Sequence, residues 1–255
     1  MYTFDDLVRV IAELRSDHGC PWDRAQTYES LKQCLADEAQ EVFDAVDHKD
    51  MENLCEELGD VLLQVVFHAQ MEKEKGVFDI EDVADGVCKK LIFRHPHIFG
   101  TVEVASSEEI LRNWDELKRK EKHQKTDTSA LESVAKSLPG LIRAAKLQKK
   151  AAKVGFDWDG PQGALDKVAE ELDEVRRAAQ GDGDSEGEIG DLLFAAVNAA
   201  RHLKVDPERA MEKTCNKFIR RFADMERQAN EQNRALSDLS LAELDALWDK
   251  AKEKE

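Results

Sequence analysis

The sequence predicts an all-α protein made of two tandem helical units, and three observations carry that expectation. Only 13 Gly and five Pro interrupt 255 residues. Apolar residues recur at intervals of three and four, the helical period, as in Leu54, Leu58, Val61, Leu62, Val65, Val66 and Ala69. The same landmarks then occur twice in one order, on either side of a polar stretch at 122–129 (KHQKTDTS) that reads as a linker.

Taken in chain order, the run from Leu54 to Ala69 is a long helix stopped at Lys75-Gly76. After the linker, Leu165, Val168, Leu172 and Val175 mark a helix that ends before Gly181-Asp182-Gly183-Asp184. Leu192, Leu193, Ala196, Val197, Ala200 and Leu203 mark the next, which stops at Val205-Asp206-Pro207, where a further helix begins near Glu208. Four tryptophans frame the repeat: Trp22 and Trp114 in the first half, Trp158 and Trp248 in the second. Between them the first half reads Asp37-Glu38-Ala39-Gln40-Glu41, Glu57-Leu58-Gly59-Asp60 and Lys90 to Arg94. The second half reads Glu170-Glu171-Leu172-Asp173-Glu174, Glu188-Ile189-Gly190-Asp191 and Lys217 to Arg221. The expected organisation is a domain at 1–122, a linker at 123–137 and a second domain at 138–255. Each half has too few long helices to bury all its apolar faces, so a homodimer is expected.

Charge narrows the function. With 37 basic and 54 acidic side chains the formal net charge is −17, which disfavours binding to nucleic acid polymers, since that requires a basic face. A mean hydropathy of −0.58 and the lack of a long apolar run argue against membrane insertion. The opening MYTFDDLVRVIAEL has no basic n-region followed by a continuous apolar stretch, so export by that route is not expected. Five cysteines, an odd number with no Cys-x-x-Cys pair, suit free thiols in a reducing, cytoplasmic setting.

The chemistry resides in the repeated acids. Glu38 with Glu41, and Glu57 with Asp60, stand three apart on helices, so each pair sets two like charges on one face; Glu171 with Glu174 and Glu188 with Asp191 repeat this. A divalent cation would relieve the repulsion, and an all-oxygen set suits Mg²⁺, or Mn²⁺, better than zinc. Gly59 and Gly190, each inside a helix, predict that another helix or a ligand comes close to the backbone there. None of the seven histidines follows a Glu by three residues, which excludes a ferritin-like di-iron centre. Lys217 and Arg221, like Lys90 and Arg94, lie four apart and suit the far side of a polyphosphate; a late Trp could stack on a base. His95-Pro96-His97 reads as a capping turn, and there is no P-loop.

Together these residues resemble the MazG family of nucleoside triphosphate pyrophosphohydrolases. The hallmark pairs of acids occur twice, accompanied by Gly19-Cys20-Pro21-Trp22-Asp23, by Arg94-His95-Pro96-His97-Ile98-Phe99 and by Val154-Gly155-Phe156-Asp157-Trp158. The resemblance implies two tandem MazG domains that complete four-helix-type bundles by dimerisation. It also implies Mg²⁺-dependent hydrolysis of NTPs and dNTPs to the monophosphate and pyrophosphate, with broad base tolerance. Carried over by position, Glu171, Glu174, Glu188 and Asp191 would hold the metal and carry catalysis, as Glu38, Glu41, Glu57 and Asp60 would hold it in the first domain. Lys167, Glu170, Lys217, Arg221 and Trp248 match nucleotide-contacting positions. The first domain departs where Cys34 stands four before Glu38, since Lys167 stands four before Glu171; the second domain is therefore the expected catalyst. The second domain also departs: the acidic stretch Asp182 to Gly187 precedes Glu188 where family members can carry a Lys, removing a substrate contact. Two other readings fit the letters: a non-catalytic helical dimer with polar seams, and a narrower pyrophosphatase for substrates such as dUTP or dCTP.

Overall fold

The computed structural model describes all residues except 103–105, 107–109, 111–112, 115–116, 118–120, 122–125 and 255. The described residues are helical with no strand, and the chain divides into two compact units, Met1–Lys118 and Arg119–Glu255. Part of the stretch read as a linker, 122–125, lies outside the described residues; its other part enters a short helix, Asp127–Glu132, capped by Thr126.

The first unit is organised around a hairpin of two long helices. Helix α1 (Phe4–Leu14) starts on a capping box between Thr3 and Asp6 and is followed by one turn, α2 (Pro21–Arg24). Helix α3 (Tyr28–His48) starts on Thr27, and Lys49, in the left-handed conformation at φ 59°, reverses the chain. Asp50 caps α4 (Met51–Glu74), so two residues join the helices and force them antiparallel. The core sits at the end of the hairpin remote from that turn: Ile11, Leu31, Val66, Phe67 and Met71, walled by Leu7, Leu14, Tyr28, Leu63 and Ile80. Arg15 fastens α1 to the end of α4, donating to both oxygens of Glu74 at 2.8 and 2.7 Å while lying 5.1 Å over the Phe67 ring. Helix α5 (Ile80–Arg94), capped by Asp79, carries Val83, Val87, Leu91 and Ile92 exposed. His95 ends α5 and Pro96 starts the turn α6 (Pro96–Phe99), the capping role expected of His-Pro-His.

The second unit repeats the hairpin. After α7 (Asp127–Glu132) and α8 (Gly140–Ala152), helix α9 (Pro161–Ala178) runs into α10 (Ser185–His202), and the two pack chiefly on each other. Helix α8 crosses α10, where Gln148 donates to the carbonyl of Phe194 at 2.8 Å. Asp157 pins the preceding loop, accepting from Arg201 at 2.9 Å and meeting His202 at 3.0 Å. Gly163 is required by packing, because a Cβ there would lie 2.8 Å from the Trp158 ring.

Helix α11 (Pro207–Glu231) packs chiefly on α12 (Leu241–Lys252), through Met225, Ala229 and Leu247 with Leu236, Leu244 and Trp248. Ser240 and Glu243 form the capping box of α12, and Arg234 pairs with Glu243 at 2.5 Å. Those bonds, Arg234 foremost, hold the Glu243 carboxyl down at about 2. A folded value below the unfolded one gives stability above the unfolded pKa of 4.5 that is lost as pH falls towards 2. Acid titration of the melting temperature should therefore fall less steeply in that window for Glu243→Gln than for the parent. No helix among the described residues is long and apolar enough to cross a membrane.

Candidate metal and nucleotide site

Each hairpin gathers acids from its two helices. In the second unit Glu171 and Glu174 project from the later half of α9, and Glu188 from the first turn of α10, where unpaired backbone N–H groups favour a carboxylate. One carboxylate oxygen from each of these three lies within 4.8 Å of the others. The first unit does the same with Glu38, Glu41 and Glu57. Asp60 and Asp191 are not in these triplets but act on them electrostatically, Asp60 on Glu38 and Glu57, Asp191 on Glu188. Thus the structure brings together three of the four acids expected in each half and places the fourth one helical turn along.

Burial sets the character of the triplets. Glu171 is 4% exposed; its Oε1 meets the Lys167 ammonium at 2.6 Å, and its Oε2 is buried with no hydrogen-bond partner. A buried charged oxygen left without a donor is costly unless something positive reaches it, and hard carboxylate oxygens alone suit Mg²⁺ or Mn²⁺. The donor set therefore fits such a cation. Lys167 also meets Glu170 at 2.9 Å, and these two acids raise its pKa. Burial, then Glu174, Asp191 and Glu171, push the Glu188 carboxyl above the usual range. Burial also raises Glu57, helped by a hydrogen bond with Glu41 and by Asp60, and raises Glu38, helped by Asp60 and Glu41.

The remaining expected residues stand on α11 and α12. Arg221 lies 5.6 Å over the Trp248 ring and Phe218 packs 5.2 Å from it, so this ring already has a cation and an aromatic neighbour; Lys217 is half-buried on α11. The first unit repeats the pairing, with the nearly buried Arg94 at 5.5 Å over Trp114. Around Gly59 and Gly190 a built Cβ meets nothing within 4 Å, so among the described residues there is no close neighbour of the kind expected there. Sequence reasoning missed Arg177, which pairs with Glu174 at 2.9 Å; its signal was the spacing of three residues on one helix.

Comparison with known proteins places the family match on the same two stretches of chain. The MazG nucleotide pyrophosphohydrolase domain matches twice, over residues 26–99 and 160–225, each match spanning one acidic hairpin. The nucleoside triphosphate pyrophosphohydrolase/pyrophosphatase MazG of Thermotoga maritima is 44% identical over 249 residues, 98% of this chain and 95% of that one. A nucleoside triphosphate pyrophosphohydrolase of Escherichia coli K12 is 41% identical over 260 residues, covering 100% of this chain and 99% of its own. One from Mycolicibacterium smegmatis is 33% identical over 201 residues, 78% of this chain and 58% of that one. With both hairpins matched and relatives aligned over nearly the whole length, the chain belongs to the MazG family of nucleotide pyrophosphohydrolases, with the domain present in tandem.

Proposed function

We propose that the protein hydrolyses nucleoside triphosphates to the monophosphate and pyrophosphate with a divalent cation, Mg²⁺ or Mn²⁺, chiefly in its second unit. The observation that carries this reading is the partnerless, buried Oε2 of Glu171 within the triplet completed by Glu174 and Glu188. Those three, with Asp191, would hold the cation. A bound Mg²⁺ supplies Lewis-acid polarisation of phosphate oxygens and a more acidic water.

The chain's own residues do the rest. A carboxylate of the triplet that the cation does not fully occupy, Glu174 or Glu171, would orient the water that attacks the α-phosphorus or take its proton. Lys217 and Arg221 balance the charge of the β and γ phosphates and of the departing pyrophosphate. Trp248, backed by Phe218 and Arg221, offers the nucleobase an aromatic wall. Stacking reads the π-face every base has, which supports broad base tolerance over a dUTP- or dCTP-type selectivity.

A homodimer completes this reading. Leu172, Ile189 and Leu193 on the acidic hairpin, and Met211, Phe218, Ile219 and Phe222 on α11, are exposed. A second copy would cover these apolar faces and the open glycines. Domains at 1–122 and 138–255 agree with the repeat, and the free cysteines support a reducing, cytoplasmic setting.

Hydrolysis of a triphosphate panel in ¹⁸O-labelled water tests the reaction. Attack at the α-phosphorus puts the label in the nucleoside monophosphate; label in pyrophosphate moves the attack to the β-phosphorus. Release of nucleoside diphosphate with orthophosphate overturns the proposal.

A further inference from the structure

The two hairpins differ in a way that their shared acids conceal. In the second unit, two of the three clustered acids are neutralised from within the same helix: Lys167 lies 2.6 Å from Glu171 and Arg177 lies 2.9 Å from Glu174. In the first unit the matching positions are Cys34, four before Glu38, and Asp44, three after Glu41. Among the described residues no cation is ion-paired with Glu38, Glu41 or Glu57, and the charged neighbours that act on Glu38 and Glu57 are carboxylates. Glu57 is more than nine-tenths buried at 8% exposure, yet its partner within the cluster is another acid, Glu41. Such a side chain is satisfied by a proton shared with Glu41 or by a positive ligand.

We propose that Lys167 is a built-in counter-ion, which holds Glu171 while the second unit has no divalent cation and turns to the substrate's phosphates when one enters. The first unit has no such residue, so a cation at its triplet would meet no ammonium to displace. The inference rests on the reading of the second triplet as a metal site and adds an order to it. A bare cation must displace the ammonium from Glu171 at a Coulombic cost, whereas a cation arriving with a polyphosphate offers that ammonium a new anionic partner. Lys167 can move because its side chain is 41% exposed on a flexible four-carbon stem. Release of Lys167 then adds to the cooperativity between metal and nucleotide in the second unit, a contribution the first unit lacks.

Mn²⁺ alone, titrated into the full chain and followed by the electron paramagnetic resonance of the free ion, tests this. Two classes of site are expected, the tighter lost in Glu57→Gln and the weaker in Glu171→Gln. Lys167→Met, with Lys167→Gln beside it, should tighten the weaker class by about tenfold, since an ammonium on a carboxylate exerts an effect of at least that order. The same variants should weaken binding of an Mg²⁺-loaded α,β-methylene triphosphate; a merely structural role would move both affinities the same way. Cys34→Lys should give the first unit a counter-ion and weaken the tighter class. If Lys167→Met leaves Mn²⁺ affinity unchanged while Glu171→Gln still deletes a class, the counter-ion proposal falls and the metal reading stands. If Glu171→Gln deletes no class, the metal reading of the second unit falls first.

Discussion

Glu171→Gln should cost at least about a hundredfold in kcat on any nucleoside triphosphate while leaving the melting temperature equal or higher, because function and stability pull in opposite directions at this residue. The amide keeps the size and shape of the side chain but removes a charge that is 4% exposed and whose Oε2 has no donor. The amide is spared the desolvation cost of a charge held out of water, and the ammonium it leaves behind is not stranded in the interior. Lys167, which loses one partner, retains Glu170 at 2.9 Å and is substantially exposed. The cation, by contrast, loses an anionic ligand. Turnover measured beside thermal unfolding checks both halves of the expectation, and activity within a few-fold of the parent would remove Glu171 from the site. Glu57→Gln, in the other compact unit, should change kcat by less than about threefold, as independent sites do.

In the proposed homodimer, Ile219→Asp should shift the protein from dimer to monomer in sedimentation at micromolar concentration. Ile219 is 64% exposed on α11 and lines an apolar hollow with Phe218, Phe222, Ala223 and Glu226. A monomer would leave that hollow in water, along with the exposed Leu172, Ile189 and Leu193 of the acidic hairpin. A carboxylate at the centre of the covered patch would be desolvated without a partner, an effect of about 2–4 kcal/mol, or about 30- to 1,000-fold in Kd. Phe218 is the poorer choice of variant, since it packs on Trp248 and its loss would perturb the α11–α12 core. An unchanged sedimentation coefficient would place the interface elsewhere. Loss of activity together with the dimer is expected if α11 of one copy brings Lys217 and Arg221 to the acids of the other.

Much of the architecture was legible in the letters. The three-and-four spacing of Leu54 to Ala69 places those residues inside α4, and Lys75-Gly76 falls just after its end. Pro207 does start a helix, with Asp206 as its cap. Local rules suffice here because hydrophobic period, caps and breakers act over one or two turns. The same rules set the acids on one face of each helix. They did not show that Lys167 would bond Glu171 in preference to facing free space, nor that Arg221 would lie over Trp248.

What the sequence by itself determined is the helical class, the duplication and the chemical type of the site: hard oxygen donors in fixed spacing, twice, with one cation exchanged for a cysteine. What only the tertiary structure decided is which of those donors meet. Spacing along a helix fixes a face, but the antiparallel reversal at each hairpin decides what that face looks at, and this left Asp60 and Asp191 outside the triplets that the glutamates form. Burial was also beyond the letters, because water is excluded from Glu57 and Glu171 by neighbours distant in the chain. That exclusion turns two ordinary glutamates into sites that demand a positive charge.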